Sequence, residues 1–278
     1  MAILLALLTA CVYGTADYLG GRATRSVSAV VVTFVGQFFG MFVLLVLAVT
    51  SGIPAPQSGD WAWSALAGIV GSTGLLAFYS AMSAGYMTVV APVAAVMNAI
   101  VPIVAGFAQG ERPGGPVLIG IPLAMFSIAL ISDVLGPGHH RAPARVVLLA
   151  ATGGSMFGLI LVALHQTSSD SGIWPVLIMR LFSTPLMAVL VVATRQKVST
   201  AFPNKGTVIG SGVLDSLANW FYVLAVRRGL LSVVAVIVTL YPGSTMLLAM
   251  GLDHERIHRS QVIGVVLAGV ALVLIALG

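Results

Sequence analysis

A chain of 278 residues in which 59% are hydrophobic and 8% charged has too little polar surface to cover a soluble globule, so it is expected in a bilayer. The net charge of +5 comes from few residues, most of them between apolar runs, a pattern of membrane-protein loops that carries no nucleic-acid implication. The single cysteine, Cys11, excludes an intrachain disulfide.

Apolar runs of about 17 to 23 residues, long enough to cross a hydrocarbon core, can be placed ten times: near 3–21, 28–49, 61–81, 88–108, 116–135, 145–165, 174–194, 206–226, 231–251 and 261–277. A spanning backbone must satisfy its own hydrogen bonds, and alternating strand patterns are nearly absent. The runs are therefore helices, and the fold class is all-α integral membrane. Within the first run, Leu8-Thr9-Ala10-Cys11 has the look of a lipoprotein cleavage box. No Lys or Arg precedes it and cleavage would destroy a span, so it is read as part of that span. Short polar breaks separate the runs, as at Gly110-Glu111-Arg112-Pro113-Gly114-Gly115 and Ser168-Ser169-Asp170-Ser171-Gly172. The longest seam runs from Gly136 to Pro143.

That seam divides a duplication. Shifted by 144 positions, Gly85 to Ile131 reappears without a gap as Gly229 to Ile275, pairing Val90 with Val234, Glu111 with Glu255, Arg112 with Arg256 and Gly120 with Gly264. The only two glutamates of the chain are thus mates, each followed by Arg. The same offset pairs Gly14/Gly158, Gly68/Gly212 and Ser72/Ser216, so the repeat covers nearly the whole chain. Residues 1–137 form a first five-helix repeat, 138–144 a linker and 145–278 a second repeat. An odd number of spans per half makes the two enter the membrane from opposite sides, an inverted-topology plan associated with secondary transporters.

Loops after odd-numbered spans carry Arg22, Arg25, Arg141, Arg145, Arg195, Lys197, Lys205, Arg256 and Arg259; loops after even-numbered spans carry only Arg112, Arg227 and Arg228. By the positive-inside rule this distribution puts both termini outside.

Ionisable groups inside spans are costly and are functional candidates by default. Asp17, Arg180 and Asp215 are the three here. Arg180 lies roughly 9 Å below the surface where its span begins, and Asn219 and Asp215 lie roughly 11 to 17 Å below that same surface. An Arg180–Asp215 ion pair with Asn219 beside it is expected near mid-membrane; the alternative reading is a lock between two helices with no further role. Asp17, roughly 22 Å from that surface, is expected apart from them, as a coupling carboxylate, a gate partner or a group snorkelling towards Arg22. Backbone interruptions mark a second kind of site. Pro92 and Pro102 are expected to interrupt the fourth span and Tyr241-Pro242-Gly243 the ninth, with Asn98 opposite Pro242 in the duplication. Phe78, Tyr79, Trp220, Tyr222 and Tyr241 could wall a cavity or serve as core and interfacial residues. His254 and His258 have i,i+4 spacing but no third ligand, so no metal site is expected, and no cofactor or catalytic motif is present.

Thr88-Val89-Val90-Ala91-Pro92 with Ser232-Val233-Val234-Ala235, the Glu111-Arg112 and Glu255-Arg256 turns, and Gly120 with Gly264 together resemble the EamA-type branch of the drug/metabolite transporter superfamily over the whole chain. Tyr13-Gly14-Thr15-Ala16-Asp17-Tyr18-Leu19-Gly20-Gly21 is similar to the Gly-x-x-Asp-aromatic-x-Gly opening of one bacterial subgroup. The resemblance implies a central cavity lined by spans one to four and six to nine, and cytoplasmic termini. The latter contradicts the loop charges; it is preferred because Arg22, Arg25, Arg256 and Arg259 border spans.

The function expected is secondary active transport, not enzymatic catalysis: export of a small organic metabolite or drug across the plasma (inner) membrane by alternating access, with protons as the coupling ion. Asp17, Arg180, Asp215, Asn219, Tyr241 and Asn98 are the expected substrate- or proton-binding residues. The partners expected are that solute, the bilayer, protons and a second copy in a homodimer. The alternative is a non-transporting membrane protein, a lipid-handling or assembly subunit.

Overall fold

The computed structural model describes residues 1–53, 56–82, 84, 87–131, 142–253 and 258–277, without the side chains of Tyr79, Met82, Met87, Thr88 and Pro92. Among the described residues the chain is helical throughout, and no strand occurs. The helices are α1 (Ala2–Thr24), α2 (Ala29–Thr50), α3 (Ser58–Met82), α4 (Met87–Ala108), α5 (Gly115–Ile131), α6 (Ala144–His165), α7 (Trp174–Ala193), α8 (Lys205–Val226), α9 (Leu231–Val238), α10 (Tyr241–Leu252) and α11 (Arg259–Ala276). A 3-10 segment, Val198–Asn204, joins α7 to α8. Nine of the described spans are long and apolar enough to cross a membrane, α9 and α10 counting as one; α5 is a shorter apolar helix of 17 residues. The protein is an all-α, multi-pass membrane protein.

The two halves do not sit side by side as separate bundles. α1 packs along α8 while its repeat mate α6 packs along α3, and α2 packs on α8 while α7 packs on α3. The self-paired contacts, α2 with α7 and α5 with α11, lie on the axis that relates the halves. Since lipid tails are as apolar as leucine, burial alone does not drive such contacts, and small residues that admit close backbones do. At the α2–α8 crossing a Cβ built on Gly212 would fall 2.1 Å from Gly36 Cα. At the α4–α6 crossing one on Gly154 would fall 2.3 Å from the Ala94 carbonyl oxygen. The mates Gly120 and Gly264 serve α5 and α11 in the same way, meeting Ala271 O at 3.1 Å and Ile131 N at 2.8 Å.

The face of the bundle that holds Ala2 and Ala276, the terminal face, is tied across the halves by polar bonds. Asp60 accepts from Ser168 N–H and Oγ–H, both at 2.7 Å, and Trp174 Nε1 donates to Ile53 O at 3.1 Å. Gln166 Nε2 donates to Gln109 Oε1 at 3.1 Å. Glu111 reaches from the first half to the second, where its carboxylate accepts from the backbone N–H groups of Leu231 and Ser232 (the latter 3.0 Å). These are first-turn donors of α9, left without intrahelical partners, and a carboxylate there also complements the helix dipole. α9 is only 8 residues long, so one satisfied terminus is a large share of its polar accounting. Its mate Glu255 lies outside the described residues.

On the opposite face, called the basic face for Arg22, Arg25, Arg195, Lys205 and Arg259, Asp253 at the end of α10 accepts from Tyr18 (3.0 Å), Arg22 (3.3 Å) and Arg25 (3.3 Å). Arg22 is therefore committed to Asp253 rather than to Asp17.

The chain breaks between α9 and α10 at Thr239-Leu240, just before Tyr241-Pro242-Gly243. Pro242 lacks the N–H that would continue the ladder to Val238, and α10 restarts with proline in its first turn, where no donor is needed. In the mate helix α4 the expected interruption is not a break: the helix runs continuously through positions 92 and 102. Pro102 is buried against the α6 backbone, its ring 3.2 Å from a Cβ built on Gly158, so packing on a neighbour maintains the helix where a hydrogen bond is lost. The matched pair of interruptions read from the duplication is thus a break in one half and an unbroken helix in the other.

If backbone contact at the α2–α8 crossing holds the halves together, Gly212→Val is expected to lower the thermal midpoint of the detergent-solubilised protein by roughly 5–10 °C, since overpacking costs about 3 kcal/mol where it meets backbone. Gly269→Ala, with no atom within 4 Å of the added Cβ, is expected to leave it unchanged.

Candidate functional site

The site is built on α1, α7 and α8, with α2 packed against both α7 and α8. α7 carries Arg180 on a buried stripe with Ser183, Thr184 and Met187. α8 carries Asp215 and, one turn on, Asn219, which share a helix face. α1 carries Tyr13 and Asp17, again one turn apart. The break before α10 adds Tyr241, fixed against α1 because Ser244 Oγ reaches Ala10 O at 2.8 Å and Thr245 Oγ1 reaches Gly14 O at 3.1 Å. Gly14 permits this approach: a Cβ there would lie 2.7 Å from Tyr241 O.

Arg180 and Asp215 meet in an ion pair through Nη2 and Oδ2. The guanidinium Nε also donates to Ser216 Oγ at 3.2 Å, so two α8 side chains hold it. The pair is asymmetric. The Arg180 side chain is 7% exposed and that of Asp215 is 39% exposed, which places the cation in the helix seam and turns the carboxylate towards open space.

Asp17 is exposed and, among the described residues, makes no ion pair or hydrogen bond. It is nonetheless within electrostatic range of Asp215, and Tyr241 is within range of Asp17. Tyr13 is within range of Asp215, Arg180, Tyr222 and Asp17 together, and its ring lies 6.1 Å from that of Tyr241. A carboxylate that is open yet has groups from other helices within electrostatic range is read as lining a crevice between α1, α8 and α10. The crevice wall is Tyr13, Asp17, Asp215 and Tyr241, with Arg180 behind it.

The expected separation of Asp17 from Asp215 is corrected here. Depth alone put them a few residues apart along the membrane normal, and the crosswise packing of α1 on α8 brings them laterally together. Asn219 does not bond to the pair: its Nδ2 donates to Asp215 O at 2.8 Å, within α8, and the side chain is buried. Asn98 stands elsewhere, on α4 at the α4–α6 crossing, 9% exposed and with its buried Oδ1 lacking a partner among the described residues. Pro92 has its side chain outside the described residues, as does Tyr79; His254 lies outside them altogether. Phe78 packs edge-on against Phe157 at 5.9 Å, Trp220 stacks on Phe221 at 5.7 Å, and Tyr222 is fully buried with its hydroxyl donating to Leu161 O at 2.7 Å. Those aromatics serve packing between α3, α6 and α8. Tyr13 and Ser216 were not singled out from sequence, although Tyr13 stands one turn from Asp17 and Ser216 pairs with Ser72 in the duplication.

The model of the EamA-like transporter family matches residues 1–133 and again 144–277. The chain belongs to the EamA-like transporter family. It is thereby a drug/metabolite-transporter-type membrane protein, and EamA members are transporters rather than enzymes. A solved structure described as "Crystal structure of protein" superposes with a TM-score of 0.80 at 16% identity, covering 99% of this chain and 96% of that one. At that identity it speaks for the fold alone. No curated relative matches the sequence.

Removing one member of the pair is expected to separate the two single variants. Asp215→Leu leaves Arg180 charged and nearly sealed from solvent, and should lower the thermal midpoint by roughly 5–10 °C. Arg180→Leu leaves a carboxylate that is already partly open and should cost less. Arg180→Leu with Asp215→Leu should recover most of the loss, because no charge then remains in the seam. Thermal unfolding of the three purified variants in one detergent reads the order.

Proposed function

We propose that this EamA-family protein is a secondary active transporter that exports a small organic metabolite or drug across the plasma membrane by alternating access of its two inverted halves, with protons as the coupling ion. One observation carries the reading. Two carboxylates, Asp17 and Asp215, share the crevice, and the one guanidinium beside them, Arg180, is bonded to Asp215. Asp17 is left, among the described residues, as a carboxylate in a membrane interior with no fixed cation, the kind of group that marks proton relays and ion pathways.

Division of labour follows from the geometry. Arg180 holds Asp215 through the pair while Ser216 fixes the guanidinium. A cationic or hydrogen-bonding group of a solute entering the crevice meets Asp17 and the open edge of Asp215, with Tyr13 and Tyr241 as aromatic walls. Proton binding at Asp17 relieves its repulsion with Asp215, and a cationic solute would do the same, so the two ligands compete for one negative site. Such competition is a sufficient basis for exchange.

The conformational element is the break before α10. α9 is buried and tied to Glu111 at the terminal face, whereas none of α10 is buried to that degree, and Tyr241 sits at the joint between them. Asp253 ties the halves at the basic face as well, but the arginines it holds are more than half exposed, so the closure at the terminal face is read as the tighter one and the crevice as open towards the basic face. Exchange of that closure for one on the basic face is the alternating step.

The test is solute-evoked current and internal pH change in proteoliposomes, screening amino acids, nucleobases, sugar phosphates and cationic drugs. Wild type is expected to couple solute flux to protons, and Asp17→Asn to lose at least tenfold of the proton-driven flux while keeping solute binding. Asp215→Asn should lose both. Proton-driven flux that survives Asp17→Asn unchanged would overturn the coupling role.

A further inference from the structure

Between α2, the 3-10 segment Val198–Asn204 and the start of α8 lies a cavity of about 360 Å³ on the outside of the bundle, remote from the crevice. Phe34, Val35, Phe38, Phe39, Val198, Ala201, Phe202 and Ile209 give it apolar walls, and its one polar lining residue is Lys205. Phe34 and Phe38 lie roughly 8–14 Å below the basic face, counted from the start of α2, while Lys205 is the first residue of α8 and sits at that face. The cavity therefore runs from a charged mouth at the membrane surface into the hydrocarbon.

The 3-10 segment makes the outer wall. It rests on α2 and α8, buries Ala201 at 4% exposure and turns Phe202 outwards at 68%. A phenylalanine so exposed at the edge of a span belongs in acyl chains rather than in water. Arg195 and Lys197, both exposed, precede this stretch at the same face, and Lys205 is the charged residue that lines the mouth.

We propose that this groove is a binding site for one anionic glycerophospholipid, its acyl chain between Phe38 and Phe202 and its phosphate at Lys205. A bilayer supplies acyl chains to any outward groove at this depth, and the shape alone would accept any of them. The basic mouth is what selects the headgroup, since each lysine or arginine near the surface favours an anionic lipid by a factor of about five. The stem of Lys205 lines the cavity while its ammonium reaches the phosphate level. The groove wall is the α2–α8 seam, which continues through Gly36, Gly212 and Gly40 to Ser216, so the lipid would brace the helix that holds Arg180. This inference does not depend on the transport reading.

The test uses Phe202→Trp, a replacement at an exposed position, in vesicles of neutral lipid containing a minor fraction of acyl-brominated phosphatidylglycerol or, in parallel, acyl-brominated phosphatidylcholine. Quenching is taken as the difference from wild type, whose four tryptophans, Trp61, Trp63, Trp174 and Trp220, lie in the half of the bundle towards the other face. Brominated phosphatidylglycerol should quench as though enriched about fivefold over its mole fraction, and brominated phosphatidylcholine at its mole fraction. Adding Lys205→Gln should bring the anionic lipid down to the neutral value, and Lys205→Arg should retain the preference. Equal quenching by both lipids with Lys205 in place would overturn the site, and so would a preference that survives Lys205→Gln.

Discussion

A guanidinium in the middle of a bilayer is the constraint that the rest of this structure accommodates. Neither Arg180 nor Asp215 would be stable alone at that depth, and together they remain costly unless their donors and acceptors are met. Ser216 meets one donor, and the carboxylate is left partly open. For that bond to form, α7 and α8 have to be held at a fixed separation by helices on either side. α2 does this by packing on both, through Gly36 and Gly40 against α8. The glycines of the seam and the charges of the pair are parts of one arrangement.

Crosswise packing of the repeats turns a duplicated sequence into a site that is not duplicated. α1 meets α8 as α6 meets α3, yet Asp17 on α1 and Asp215 on α8 have no charged mates on α6 and α3, where Leu161 and Gly71 stand at the corresponding positions. The interruption of α9 and α10 has no equivalent in α4. In the proposed alternating step the symmetric framework would supply two arrangements, and the asymmetric residues set two carboxylates and one guanidinium between them.

Much of this was legible in one dimension. Apolar run lengths place the helices, and the Glu111/Glu255 pairing exposes the duplication, because composition and period are local properties. Depth along the membrane normal is also one-dimensional, so the reach from Arg180 to Asp215 could be counted in residues. Lateral position could not. Asp17 was read as distant because its depth differs, whereas the α1–α8 crossing decides what it faces, and glycine contacts decide that crossing. Pro102 shows the same limit: its ring predicts a lost hydrogen bond, but whether the helix breaks depends on the α6 backbone packed against it. Asn219 has the spacing of a site residue and spends its amide on its own helix. Tyr13 was in view one turn from Asp17, but a tyrosine in an apolar run carries no signal until its neighbours are known.

In the proposed mechanism water and solute reach Asp17 from the basic face and not from the terminal face. A thiol at that position measures it directly: Asp17→Cys with the exposed native Cys11 changed to Ser, treated with a charged, membrane-impermeant thiol reagent from each side of oriented vesicles. The account predicts modification from the basic face, slowed by transported solute, and little from the terminal face. Modification only from the terminal face, or from neither, would contradict it.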